Sequence, residues 1–250
     1  MIELRIAVKR NLCADSWKEE IQIKNLIATS SYWFTRLQVR RMARYTGGVI
    51  NTGRPFSYYR KVFFNNQSKS STLANLQGKK LVDIGCGYTP YSADSMFRAC
   101  YDMGIEFYGV DPIIEENITF KARDSVFTRL TGGSGRFNPN APGVERAISA
   151  MADDLPFPDN EIDTILSCWL ILIWINKEEE LLNIFTEFHR VLKVGGNINL
   201  YPLPDWNSFR FKNRELKSLL NKFSFTQQFI YEPFNFQYPP TNRLTFTKIC

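Results

Sequence analysis

From residue 80 onward, short apolar runs alternate with segments of helical period. Leu81-Val82-Asp83-Ile84 reads as a buried strand that ends in Gly85-Cys86-Gly87. Thr89-Pro90 predicts an N-cap and a first helical residue. Ala93, Met96, Phe97 and Cys100 then fall on one helical face, and Gly104 predicts the stop. A second strand, Phe107-Tyr108-Gly109-Val110, ends in Asp111. Residues 162–168 read as another buried strand. Asn176 with Glu179 predicts the start of a helix in which Leu181, Phe185, Phe188 and Leu192 share a face. A strand over 197–201, a helix over 214–223 and strands near 229–231 and 244–249 complete the pattern. Such alternation predicts an α/β core over residues 79–250.

Residues 1–78 differ. They predict a helical, aromatic-rich appendage in which Tyr32, Trp33, Phe34 and Leu37 pack inward and Arg36, Arg40, Arg41 and Arg44 face out. Gly47-Gly48 breaks this helix, and residues 54–64 mix aromatics with cations. Residues 68–71 read as a polar linker. Between the second strand and Met151, residues 112–146 include Gly132-Gly133-Ser134-Gly135 and Asn138-Pro139-Asn140, which predict exposed loop.

Charge sharpens the division. Residues 1–80 hold 15 Lys+Arg against 4 Asp+Glu, a net of +11; the remainder holds 16 against 21, a net of −5. Such asymmetry suits either a solvated helix face or an anionic partner at the appendage: nucleic acid, a membrane surface or a phosphorylated substrate. Five cysteines without a C-x-x-C pair predict a reduced, cytoplasmic protein rather than a disulfide scaffold. The start lacks the basic head and apolar stretch of a signal peptide. The longest apolar run, residues 164–175, is too short to span a bilayer. One histidine and no clustered ligands leave no metal site. His189 falls on the helix before the fifth strand and reads as structural.

The chemistry gathers at the first strand-to-helix bend. Two glycines at i and i+2 let a ligand lie against the backbone, and Asp83 stands at the strand end where open α/β sheets bind ligands. Asp111, a little over twenty residues past the glycines, suits a bidentate hold on ribose hydroxyls. Pro90 stands where a G-x-G-x-x-G dinucleotide fingerprint needs glycine, and no G-K-[ST] phosphate loop occurs.

These residues carry a resemblance. Asp83-x-Gly85-x-Gly87, Leu155-Pro156-Phe157, Ile162-Asp163 and Arg190-Val191-Leu192-Lys193-Val194-Gly195-Gly196, in order over residues 79–203, resemble the class I S-adenosylmethionine-dependent methyltransferases, in the small-molecule branch with an L-P-F motif. The resemblance implies a doubly wound, seven-stranded, mostly parallel sheet with an antiparallel final pair. S-adenosyl-L-methionine would be the cofactor. Asp83, Gly85 and Gly87 would line its methionine part and Asp111 its ribose. Met151, Ala152 and Asp153 would flank the adenine, and Ser167 and Cys168 would border the transfer cleft. It also implies that the segment before the first strand caps the cofactor as a lid.

Departures from the family pattern are Thr89 in place of a third glycine, Met151 in place of an acid, and Val194 in place of proline. Asp154, Asp205 and the N-terminal tyrosines are the candidate bases for an oxygen nucleophile, with none singled out as catalytic. The residues after the fifth strand, Tyr201 to Trp206, would form part of the acceptor wall. The preferred acceptor is a small molecule. An RNA- or protein-directed methyltransferase using the basic segment, or a cofactor-binding module without catalysis, is the alternative.

Overall fold

The computed structural model describes the backbone of residues 2–115, 118–235 and 237–250, and side chains from Glu19 onward within them. Seven strands form one sheet. They are β1 (Lys80–Ile84), β2 (Glu106–Val110), β3 (Ala147–Ile148), β4 (Ile162–Cys168), β5 (Leu192–Leu203), β6 (Phe223–Ile230) and β7 (Thr241–Lys248). Their order is β3-β2-β1-β4-β5-β7-β6, parallel except for β7, which runs antiparallel to both neighbours. The order reverses between β1 and β4, so their carboxyl ends form the topological switch point where such sheets bind ligands.

Period-2 alternation divides the strands between two cores. Val82, Ile84, Ile165 and Leu200 face one side, covered by α6 (Glu178–Val191) and α7 (Arg214–Leu220). Leu81, Leu166, Cys168 and Tyr201 face the other, covered by α2 (Phe56–Phe63), α3 (Lys69–Leu76) and α4 (Met96–Asp102). Asp83 shares the parity of Leu81 and so points under α2, a placement that decides its chemistry.

Several local readings are corrected. Thr89-Pro90 opens only a 3-10 turn, Thr89–Tyr91. Ser92 leaves helical geometry, and Ser95 caps α4 by accepting from the Arg98 N–H at 3.1 Å. Asn176 does not cap α6; the helix starts at Glu178 behind Lys177, with Glu178, Glu179 and Glu180 complementing its dipole. The stretch 68–71 is no linker, because Ser68 is the N-cap of α3. Leu192 begins β5 rather than ending α6. His189 is structural as read: its Nε2 lies 2.7 Å from the Cys250 carbonyl oxygen.

The long helix α1 (Ile2–Tyr45) keeps Tyr32 inward and Arg41 and Arg44 outward as expected, but reverses the rest of its predicted orientation. Tyr32 does pack inward, its hydroxyl donating to the Leu172 carbonyl at 2.6 Å. Arg40 also faces the domain and donates to the carbonyls of Ile173 and Trp174. Trp33, Phe34 and Leu37 face out. The carbonyls freed where the chain turns after β4 need donors, and Tyr32 and Arg40 supply them.

Residues 112–146 are not plain loop either. They contain α5 (Ala122–Leu130), and the glycines after it are tightly packed.

Candidate active site

At the end of β1 the chain turns through Gly85 and Gly87, both in the left-handed region at φ +73° and +56°. A side chain at either position is strained, and each also has a close neighbour. A Cβ on Gly85 would stand 2.9 Å from a methyl of Leu170, and one on Gly87 3.0 Å from the Thr52 carbonyl oxygen. The bend is thus a cradle of bare backbone, lined from above by two other segments.

Asp111 closes the neighbouring strand tip onto this bend. Its Oδ2 accepts from the Gly87 N–H and its Oδ1 from the Ile113 N–H, both at 3.0 Å. Burial raises its carboxyl above the ordinary range, and these two amides pull it back. An ionised carboxylate has about four acceptor positions, so two remain for hydroxyl donors.

Asp83 is the most unusual group of the site. It is buried; its Oδ2 accepts from the Tyr59 hydroxyl, whereas its Oδ1 has no hydrogen-bond partner. Burial pushes its carboxyl up to about 7, against the opposing pull of the Tyr59 hydroxyl and of Arg54. A buried carboxylate oxygen without a donor is costly and marks a place for one.

Arg54 supplies the opposite charge. Its guanidinium lies 4.5 Å from the Tyr58 ring centre and 5.7 Å from that of Trp169. None of its side-chain nitrogens bonds to an acceptor among the described residues. Tyr58 is held in turn: its hydroxyl accepts from Trp169 Nε1 at 2.7 Å, and its ring stacks on Tyr238. Trp169 adopts φ +61°, which turns the chain sharply after Cys168 and aims Leu170 at Gly85.

A strap over residues 46–55 passes above the bend. The Gly53 N–H donates to Thr128 Oγ1 of α5 at 3.1 Å, and the Arg54 N–H donates to Thr89 Oγ1 at 3.2 Å. Arg123 of α5 donates to the Val49 carbonyl at 3.1 Å. The Phe137 ring lies 2.6 Å from where a Gly53 Cβ would stand, so only glycine fits there. The 112–146 segment is therefore what secures the strap, and rings of Tyr88, Tyr91, Phe120 and Phe137 pack edge to face beside it.

Of the residues singled out from sequence, Asp83, Gly85, Gly87, Asp111 and Cys168 come together at the switch point. Cys168 is buried beside Tyr58, and burial pushes its thiol up to about 12, so it is a packing group rather than a nucleophile. Ser167 donates to the Ile84 carbonyl at 2.9 Å and ties β4 to β1. Met151 and Asp153 lie on the turn after β3, exposed, with Ala152 between them packed into the core. Asp154 is exposed, and Trp206 packs on Phe209, Phe211 and Phe246 on the other side of the sheet. The 201–206 stretch therefore contributes Tyr201 to the site side and Trp206 to the opposite core. Thr52 and Leu170 carry no signal in the sequence; Arg54 shows there only as a cation four residues before Tyr58 in an aromatic run, and Tyr59 only as one of the N-terminal tyrosines.

Residues 82–200 match the family model described as a methyltransferase domain. That match, over just under half of the chain, marks residues 82–200 as a methyltransferase domain, and the strand order and the glycine bend are those that the resemblance to the S-adenosylmethionine-dependent class implies. No curated protein matches the chain. Among solved structures it is similar to a S-adenosylmethionine-dependent methyltransferase from Archaeoglobus fulgidus, at 16% identity and TM-score 0.41 over 77% of this chain and 98% of the other. A putative methyltransferase of the same kind from Methanococcus maripaludis gives 14% and 0.41 over 86% and 94%. Geranyl diphosphate C-methyltransferase from Streptomyces coelicolor gives 14% and 0.39 over 80% and 89%.

Proposed function

We propose that this methyltransferase acts on a small-molecule acceptor enclosed beneath the strap and α2. The observation that carries this reading is the covering itself. Thr52 and Leu170 line the bend, and Tyr58 and Tyr59 of α2 are buried against the strand ends. A small acceptor can be enclosed by such a roof after it opens; a polymer needs a groove that stays open.

The residues present fit the cofactor. Among the described residues Asp83 Oδ1 lacks a donor and the Arg54 guanidinium lacks an acceptor, which complements the ammonium and carboxylate of a methionyl group. Gly85 and Gly87 would lie against that same end, and the spare acceptor positions of Asp111 would hold the ribose hydroxyls. Met151, Ala152 and Asp153 would flank the adenine. Ser167 and Cys168 would border the transfer cleft.

The bound cofactor supplies an electrophilic methyl group on a sulfonium. The chain's part is to orient it, exclude water and place the acceptor in line. Buried Tyr58, Tyr201 and Tyr238 form an aromatic wall and hold their protons firmly, because burial raises each hydroxyl. No acid or base is assigned here, since a sulfonium can transfer its methyl to a neutral nucleophile.

Incubation with methyl-labelled cofactor and a cell extract tests the acceptor class. Label is expected in the dialysable fraction and insensitive to nuclease and protease. Label confined to RNA or protein would overturn the small-molecule reading while leaving the methyltransferase activity standing.

A further inference from the structure

Helix α1 sets small and polar residues against the domain and large apolar ones against solvent. Ala28, Tyr32 and Ala43 are buried, whereas Leu26, Phe34, Leu37 and Tyr45 are 69%, 65%, 63% and 77% exposed. Ile23 and Trp33 are also exposed. Ile23, Leu26, Trp33, Phe34, Leu37 and Tyr45, with Ser30 and Arg41 between them, follow one another at helical spacing and form a single stripe. At 1.5 Å per residue it runs for about 33 Å between Ile23 and Tyr45. No described residue covers it.

Its charge is one-sided. Between Ile21 and Tyr45 the sequence has Lys24, Arg36, Arg40, Arg41 and Arg44 and no acid. Arg41 and Arg44 are exposed; Arg36 lies over the Trp33 ring at 5.1 Å and Arg41 over the Tyr45 ring at 5.8 Å. Aromatic and aliphatic side chains bordered by arginines suit a surface that is apolar within and anionic at its face.

We propose that α1 docks in the plane of an anionic lipid surface, its apolar stripe entering the acyl boundary and its arginines meeting the headgroups. RNA would pair with the arginines and stack on Trp33, but it has no use for exposed Ile23, Leu26 and Leu37. Two copies pairing in parallel through this stripe would bring arginines together with no acid between Ile21 and Tyr45 to receive them; only an antiparallel pair would set Glu19 and Glu20 against Arg41 and Arg44. No helix of the described residues is long and apolar enough to cross a membrane, so the contact is with the surface. Gly47 and Gly48 join α1 directly to the strap over Gly87.

Co-sedimentation of the full chain with phosphatidylcholine vesicles, with and without phosphatidylglycerol, tests the proposal. Binding is expected on the anionic vesicles only and weakens as salt is raised. R41Q/R44Q should lower the partition about 25-fold, at roughly fivefold for each cation near an anionic surface. L26S/F34S/L37S should abolish it with helix content and cofactor binding retained. If the triple variant loses helix content, the charge variant, altered only at exposed positions, carries the test. Absence of anionic-vesicle binding overturns the proposal. So does equal binding to neutral vesicles, or a dimer in sedimentation velocity that the triple variant dissolves. RNA binding that survives in the triple variant, with no vesicle binding by the wild type, would overturn it in favour of a nucleic-acid partner. The vesicle and dimer outcomes leave the acceptor class untouched, and the labelling experiment above decides that class separately.

Discussion

Asp83 shows why a motif residue needs its surroundings before its chemistry can be read. The sequence places an acid at the strand end, and strand parity sends it under α2, but neither reveals Tyr59 above it. With its carboxyl at about 7, the folded chain holds a proton there that the unfolded chain, titrating near 4, releases. The folded state thus binds more protons between those values, and Asp83's contribution to stability falls as pH rises from about 4 to about 7. Urea unfolding should show a loss of about 2 kcal/mol between pH ~5 and ~7.5 that D83N lacks. Gly87 is a second case. Its positive φ and the Thr52 oxygen beside it leave no room for a side chain. Gly87→Ala should cost about 1–2 kcal/mol in thermal or urea unfolding. The glycines and Asp111 were legible because their roles come from the local backbone. Arg54 was not, and Tyr59 only as one of the N-terminal tyrosines, because Trp169 and Asp83 meet them only through the packing of α2 and the strap on the strand ends.

At the scale of elements, the strands were legible and the helix faces less so. Buried strands with period-2 alternation leave little choice about which residues face which core, and β1, β2 and β4 follow the predicted runs closely. Helix α1 misleads because it reverses the usual arrangement: hydrogen bonds to carbonyls of the turn after β4, rather than apolar burial, fix its orientation. The insertion misleads for a related reason. Its glycines read as loop, whereas they permit close packing against the strap and α5. That packing makes the strap a separable unit. Thr128→Val should remove the acceptor for the Gly53 N–H, costing about 1 kcal/mol. It should also speed cleavage within residues 46–55 in limited proteolysis, with the core fragment unchanged.

At the scale of the molecule, two regions of opposite charge carry two kinds of work. The acidic core builds the sheet and its switch point, and the basic appendage supplies the roof, the Arg54 cation and the outward stripe. The central claim is that the glycine bend of β1 and the carboxylate at the tip of β2 together hold the cofactor's nucleoside and methionyl end. Calorimetric titration with S-adenosylhomocysteine, of the wild type and of Asp111→Ala, tests it most directly. Saturable binding that weakens about 10- to 100-fold in the variant, as loss of hydrogen bonds to a charged group requires, is the predicted result. No binding by the wild type, or equal binding by the two, would contradict it.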